Sequence, residues 1–175
     1  VIGAGTNRMN VYTVAKATRG FAAYLKEEFA HPSCAIAYDS RNMSDVFSHI
    51  TAATLAHEGV KVYLYSELMP TPMLSFAVRH LHTAGGVVIT ASHNPAKYNG
   101  YKVYGPDGCQ ITLEAAERIL SLIHDQEDLI ESLPNFDALL DANKIEYISG
   151  DVIEAYYAAV RATSVREVTS PLKVV

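Results

Sequence analysis

The sequence has little of what membrane, nucleic-acid-binding and disordered proteins depend on. No apolar run approaches the roughly 18 residues of a membrane-spanning helix. The net charge is −5, with 14 basic and 19 acidic residues, and the 11 tyrosines form no aromatic ladder, so a nucleic-acid partner is not expected. Apolar residues make up 49% of the chain and charged residues 19%, which excludes a disordered protein. We therefore expect a globular domain that binds neither membrane nor nucleic acid.

Cysteine is also scarce, and the two ends of the chain are abrupt. Cys34 and Cys109 are too few for a disulfide framework; they could pair, but two reduced thiols are the expectation. The first residues lack an initiating Met and the charged start of a signal peptide. Residues 172–175 resemble the beginning of a strand. These features together predict a fragment of a longer protein.

Apolar spacing predicts strands that alternate with helices. The strands are expected at residues 34–38, 60–65, 86–90 and 100–104. The helices are expected at residues 13–29, 44–58, 113–124 and 151–162, and a further helix begins at residues 70–72. Asn10 and Thr112 are the expected N-caps of the first helix and of the helix at 113–124. This alternation is typical of parallel sheets, but only about ten residues separate the last two strands, too few for a helical crossover. The predicted fold class is α/β, a three-layer α/β/α domain with a mixed four-stranded sheet whose fourth strand is antiparallel.

Three loops should meet where ligands bind in such sheets, beyond the carboxyl ends of the strands. They are residues 39–41, 70–72 and 90–95. The last loop places the hydroxyl of Ser92 directly before the imidazole of His93, and Lys102 adds a cation from the next strand. An imidazole can exchange a proton near neutral pH, and an ammonium can neutralise a phosphate. The combination suits reversible phosphoryl transfer.

By residue chemistry alone, two other interpretations remain. Neighbouring serine and histidine residues occur by chance, so the segment could be a loop without chemistry. A serine hydrolase is the other alternative, but no G-x-S-x-G elbow surrounds Ser92. Adjacent side chains also do not easily adopt the geometry of a catalytic triad.

The sequence segments around Ser92 are more specific than the Ser92–His93 pair alone. Residues 86–95 read GVVITASHNP, and residues 99–104 read NGYKVY. They closely resemble the phosphoserine signature of the α-D-phosphohexomutase superfamily. Residues 3–10, 38–41 and 70–72 match as well, so the resemblance covers nearly the whole chain and points to the phosphoglucomutase branch.

The resemblance implies roles for individual residues. Ser92 matches the serine that carries the phosphoryl group and whose phosphate binds the metal ion. His93 matches a histidine that shuttles a proton or donates a hydrogen bond that positions the phosphate, and Lys102 matches a lysine that aids proton transfer or binds phosphate. Apart from the resemblance, Arg41 lies at the carboxyl end of a strand, where its guanidinium could bind phosphate or substrate or instead pair with Asp39. Arg8 is a further candidate phosphate or substrate contact, with a packing role as its alternative.

Asparagines of the same loop are expected to shape it. Asn94 is included among the substrate- or phosphate-binding candidates. Both Asn94 and Asn99, however, suit holding the loop better than touching substrate.

The resemblance also implies a domain order and an activity. Residues 1–168 correspond to the first of four domains, and residues 169–175 to the linker and first strand of the second. The whole enzyme would be a cytoplasmic intramolecular phosphotransferase that interconverts glucose 1-phosphate and glucose 6-phosphate through a bisphosphorylated sugar. Its expected requirements are Mg²⁺, held by phosphorylated Ser92 and by second-domain aspartates, and a sugar 1,6-bisphosphate activator. The expected partners are the sugar monophosphate and domains II–IV, without which residues 1–175 should be inactive.

Two alternatives to this activity remain open. A sister mutase could act on mannose, glucosamine or ribose phosphates, because the family's sugar-recognition loop is absent from this sequence. The chain could also be a short phosphosugar-binding module without catalysis.

Overall fold

A six-stranded mixed sheet lies between two layers of helices in the computed structural model, which describes residues 2–4, 8–126 and 132–165. The strands are β1 (Ile2–Ala4), β2 (Ser33–Tyr38), β3 (Lys61–Leu64), β4 (Gly85–Ile89), β5 (Tyr98–Tyr104) and β6 (Ile145–Tyr147). The helices are α1 (Val11–Glu28), α2 (Ser44–His57), α3 (Thr71–His80), α4 (Leu113–His124), α5 (Phe136–Asp141) and α6 (Gly150–Ala162). The strand order across the sheet is β1-β5-β4-β2-β3-β6.

The strand directions confirm the predicted mixed sheet. β2 is parallel to β3 and β4, whereas β5 is antiparallel to β4, with Lys102 opposite Val88. The number of strands was wrong, because the sheet has six and not four. β1 and β6 have three residues each, too few for apolar alternation to reveal them. The predicted second-domain residues 169–175 lie outside the described part of the chain.

Side chains on opposite faces of the sheet build two separate cores. Along β2, Cys34 and Ile36 belong to the core under α1, α2 and α4, whereas Ala35 and Ala37 belong to the core under α3 and α6. Strands buried on both faces are typical of sheets covered by helices on each side. The three-layer α/β/α architecture is therefore confirmed.

The last described helix, α6, carries an apolar stripe of Val152, Tyr156 and Val160, whose spacing predicts that the helix packs on this same domain. Val152 is buried, and the ring of Tyr156 meets the ring of Phe76 on α3 with centroids 5.5 Å apart. The stripe is not buried along its whole length, since Val160 is 48% exposed. Among the helices that the structure describes, none combines the length and apolarity needed to cross a bilayer.

Two helices begin at residues that the sequence marks as caps. The Asn10 side chain accepts hydrogen bonds from the backbone N–H groups of Tyr12 and Thr13, and the Thr13 hydroxyl accepts one from the Asn10 N–H. Thr112 caps α4 by accepting from the Ala115 N–H. Such caps satisfy backbone donors that the first helical turn leaves unpaired.

Helices α1 and α4 cross at Gly20, where a side chain has no room. An ideal Cβ at Gly20 would lie 2.4 Å from Cγ1 of Ile123 and 2.8 Å from its Cα and backbone nitrogen. Because backbone atoms are among these neighbours, a rotamer change cannot relieve the clash.

We expect Gly20→Ala to lower the free energy of unfolding by about 1–3 kcal/mol, because α4 must move away from α1. The matched control is Gly150→Ala, since nothing lies within 4 Å of an ideal Cβ at Gly150. That control should change stability by less than about 0.5 kcal/mol. Urea unfolding followed by circular dichroism measures both variants, and equal effects would contradict the close crossing.

Candidate active site around Ser92

Three loops meet at the carboxyl edge of the parallel strands, as the sequence predicts. The Asp39 N–H donates to the Ile89 carbonyl at 3.2 Å, which joins the ends of β2 and β4. The Met69 N–H donates to the Tyr38 carbonyl at 2.9 Å, which brings the segment before α3 to the same edge. The three loops therefore form one continuous edge from residues far apart in the sequence.

The Ser92 side chain is exposed at this edge, and its backbone has a conformation that is rare for residues other than glycine. Its φ angle is 60°, in the left-handed region that favours glycine. Its Oγ lies 3.1 Å from Nδ1 of His93, which is also exposed. The imidazole can therefore exchange a proton with the hydroxyl directly.

This contact differs from the sequence expectation that neighbouring side chains would not easily meet in this way. It does not complete a hydrolase triad, because no carboxylate bonds to the His93 ring among the described residues. The arrangement supplies a hydroxyl and a proton carrier without the third group that orients a triad histidine.

The Arg41 side chain fixes the loop that begins at Ser92 by hydrogen bonds to its backbone. Its guanidinium donates to the backbone carbonyls of Ser92, of Asn94 at 2.6 Å, of Pro95 at 2.9 Å and of Tyr98 at 3.2 Å. Its side chain is only 9% exposed. The geometry gives Arg41 a loop-fixing role, and its service as a phosphate contact stays a prediction.

Asp39 is a central residue that the sequence analysis named only as a partner for Arg41. Its Oδ2 accepts from Arg41 Nε at 3.0 Å and from the Thr90 hydroxyl at 2.6 Å. Its Oδ1 accepts from the Arg41 N–H at 3.1 Å and from Ser44 Oγ at 3.0 Å. The signal that could have found it is its position, directly after a buried strand at the ligand-binding edge.

Asn99 fixes the far end of the loop, in keeping with its expected role. It is 3% exposed, and its side-chain amide donates to the Asn42 carbonyl at 3.0 Å and to Ser44 Oγ at 2.9 Å. The Asn94 side chain is exposed, while its backbone carbonyl accepts from Arg41. Contact between the Asn94 side chain and a phosphate remains a prediction.

Lys102 lies on β5, whereas Arg8 lies in the turn before α1, against the adjacent strand β1. Lys102 is half-buried on β5, two residues past Gly100, so its backbone is about 7 Å further from the edge. No ion-pair partner for Lys102 occurs within the described ranges, which leaves its ammonium available for an anion. The exposed Arg8 lies against Gly3 of β1, whose ideal Cβ would be 2.4 Å from the Arg8 Cβ. Their contacts with substrate stay predictions.

An apolar cavity of about 390 Å³ lies beside this loop. Met9, Met43 and Phe47 line it, together with Lys97 and Asn99. Because its walls are mostly apolar, the cavity does not suit a phosphate, and the polar edge at Ser92 remains the candidate site.

The cysteines take no part in this site. Both thiols are free, Cys34 in the core and Cys109 at the surface. Burial raises the pKa of the Cys34 thiol well above its usual value, so this group stays neutral and unreactive. The expectation of two reduced thiols agrees with this arrangement.

A complete metal site is not formed by the described part of the chain. No group of three or more His, Cys, Asp or Glu side chains is placed there to hold an ion. Ser92, once phosphorylated, could supply oxygen ligands of the kind that Mg²⁺ prefers. Any further ligands would have to come from elsewhere.

Comparisons with known proteins agree with the geometry. Residues 1–129 match the family model described as "Phosphoglucomutase/phosphomannomutase, alpha/beta/alpha domain I". A phosphoglucomutase of Staphylococcus haemolyticus is 40% identical over 98% of this chain and 35% of its own length. One from Staphylococcus epidermidis is 44% identical over 76% of this chain and 27% of its own length. The chain thus spans about a third of the length of these curated relatives or less.

Comparison with solved structures indicates the same phosphoglucomutase/phosphomannomutase family. A crystal structure from Thermus thermophilus, described as a phosphomannomutase, superposes with a TM-score of 0.80. It is 31% identical in sequence and covers 92% of this chain, which covers 34% of that protein. The shared fold therefore extends over almost all of the chain.

Proposed function

The chain belongs to the phosphoglucomutase/phosphomannomutase family, whose α/β/α domain I its residues 1–129 match, and on this premise we propose that it is the phosphoserine domain of a phosphoglucomutase. The complete enzyme interconverts glucose 1-phosphate and glucose 6-phosphate. The observation that carries the proposal is the exposed Ser92 hydroxyl, 3.1 Å from an imidazole nitrogen at the ligand-binding edge of the sheet.

The proposed chemistry uses three side chains of this domain. Transfer from phosphorylated Ser92 breaks the Oγ–P bond and forms a new O–P bond at a sugar hydroxyl. Protonated His93 donates its proton to Ser92 Oγ as the Oγ–P bond breaks, and the proton released by the sugar hydroxyl then replaces it on the imidazole, so protons and charges balance. The Lys102 ammonium stabilises the negative charge of the phosphoryl group in flight. Return of the other phosphoryl group from the bisphosphorylated sugar restores the starting state.

The proposed cofactors are Mg²⁺ and a sugar 1,6-bisphosphate activator. When bound, the metal ion supplies positive charge that lowers the cost of phosphoryl transfer. From this chain, the phosphate on Ser92 would hold it, and carboxylates of another domain would complete the site. The bisphosphate would load the phosphoryl group onto Ser92.

The proposed partners are a sugar monophosphate and domains II–IV of the longer protein. Residues 1–168 would form domain I, and residues 169–175 would lead into domain II. Neither nucleic acid nor membrane is expected to bind. We place the enzyme in the cytoplasm, where free thiols such as Cys34 and Cys109 persist.

A second candidate is a sister mutase with another sugar. The similarity to the Thermus protein described as a phosphomannomutase specifically favours testing mannose phosphates. Turnover assays of the full-length protein with glucose, mannose, glucosamine and ribose phosphates decide between these substrates. A chain that binds phosphosugars but turns over none of them would be a binding module.

We expect Ser92 to become phosphorylated when the full-length protein is incubated with glucose 1,6-bisphosphate and Mg²⁺. The exposed hydroxyl beside His93 is the group best placed to accept the phosphoryl group. Intact-mass spectrometry with peptide mapping measures this. Phosphate on another residue, or none, would contradict the proposed function.

A further inference from the structure

We propose that Thr90, oriented by Asp39, is a positioning residue that sets the direction of the Ser92 hydroxyl. The proposal rests on the proposed function, because it concerns how the phosphoryl-carrying serine is held. Thr90 belongs to the recognised sequence string, but no role for its side chain follows from the sequence alone.

Two hydrogen bonds connect Ser92, Thr90 and Asp39: Ser92 donates to Thr90, and Thr90 donates to Asp39. The Thr90 hydroxyl donates to Oδ2 of Asp39 at 2.6 Å, and a carboxylate can only accept. The proton of the Thr90 hydroxyl therefore lies in the hydrogen bond to Asp39. The remaining lone pairs of Thr90 Oγ1 face Ser92, whose N–H donates to them at 3.1 Å. Thr90 is 5% exposed, so water does not readily replace either bond.

The left-handed backbone of Ser92 requires such support. A residue other than glycine at a φ of 60° carries a steric cost, and the conformation persists only when its surroundings hold it. Thr90 holds the N–H of Ser92, and Arg41 holds its carbonyl. Because Asp39 Oδ2 accepts from both Thr90 and Arg41 Nε, one carboxylate oxygen anchors both restraints.

This anchoring has a consequence for catalysis. The backbone dihedral angles of Ser92 place its Cβ and restrict the χ1 rotamers that are open to Oγ, so a change in the backbone displaces the hydroxyl. A displacement of about 1 Å at a reacting atom can cost about 10²-fold in rate. Removing the Thr90 hydroxyl should therefore affect turnover more than substrate binding.

The experiment compares three variants of the full-length protein. Thr90→Val removes the hydroxyl at nearly constant volume, and Thr90→Ser keeps it. Thr83→Val is the matched control, because Thr83 is also buried and its hydroxyl donates to the Gly85 carbonyl at 2.9 Å near the other end of β4. The Thr83 variant loses a buried hydrogen bond without touching the Ser92 loop.

We expect Thr90→Val to lower kcat by about 10- to 100-fold, with KM for glucose 1-phosphate changed by less than about threefold. Thr90→Ser should retain kcat within about threefold of the parent, and Thr83→Val should retain it while losing thermal stability. Retention of parental kcat in Thr90→Val, or an equal loss in Thr83→Val, would overturn the positioning role.

Hydrogen exchange gives a readout that does not depend on turnover. The amides of residues 91–93 should exchange at least about tenfold faster in Thr90→Val than in the parent or in Thr83→Val, because their local restraint is lost. Unchanged exchange overturns the positioning role even in a protein that does not act on sugar phosphates. Lack of phosphate on Ser92 in the parent protein overturns the proposed function alone.

Discussion

Replacing Ser92 with alanine in the full-length protein should reduce mutase turnover by about 10⁴-fold or more. The variant lacks the only proposed covalent carrier of the phosphoryl group, so the two half-reactions can no longer be linked through the enzyme. The fold should survive, because the Ser92 side chain is exposed and its backbone N–H can still donate to Thr90. A coupled assay of glucose 6-phosphate formation measures the loss.

The control for this variant is Ser66→Ala, since Ser66 is an exposed serine that follows β3, which β2 separates from β4. It should keep parental activity and normal phosphorylation of Ser92. Equal melting temperatures of the two variants would separate lost chemistry from lost stability. Turnover that persists in Ser92→Ala would contradict the assignment of Ser92 as phosphoryl carrier.

The second large effect concerns His93, which contacts Ser92, and the ammonium of Lys102 on β5. His93→Ala and Lys102→Ala should each lower kcat by about 10²- to 10⁴-fold, as expected for groups that act in proton transfer or stabilise transferring charge. KM should change much less, because both groups are proposed to act mainly on the transition state. Steady-state kinetics of the full-length protein with glucose 1-phosphate measure the split between kcat and KM.

Exposed residues of the same types provide the controls. His31→Ala and Lys144→Ala remove an imidazole and an ammonium at surface positions outside the site and should leave kcat unchanged. A rise in KM at constant kcat would instead assign His93 or Lys102 to ground-state binding of phosphate. Parental kinetics in either site variant would exclude that residue from the proposed mechanism.

Local sequence signals were sufficient for much of the fold. The short connection between residues 90 and 100 predicted an antiparallel strand, and β5 pairs with β4 in that direction. The caps at Asn10 and Thr112 were readable because capping depends on residues within one helical turn. The shortest elements were missed, because few residues carry their pattern: β1 and β6 have three residues each, and α5 has six.

The candidate site likewise has features that the sequence determines and features that only the tertiary structure shows. The sequence by itself determined the position of Ser92 after a buried strand, its neighbour His93 and the resemblance to a family, because these depend on residues adjacent in the chain. Only the tertiary structure decided that Arg41 donates to the Ser92 loop and that Asp39 binds the Thr90 hydroxyl. Residues 51 to 57 positions apart make these contacts. They form because β2 and β4 are parallel neighbours whose carboxyl ends lie together; the strand pattern predicts that shared edge, but not which atoms bond across it, because side-chain geometry depends on tertiary packing.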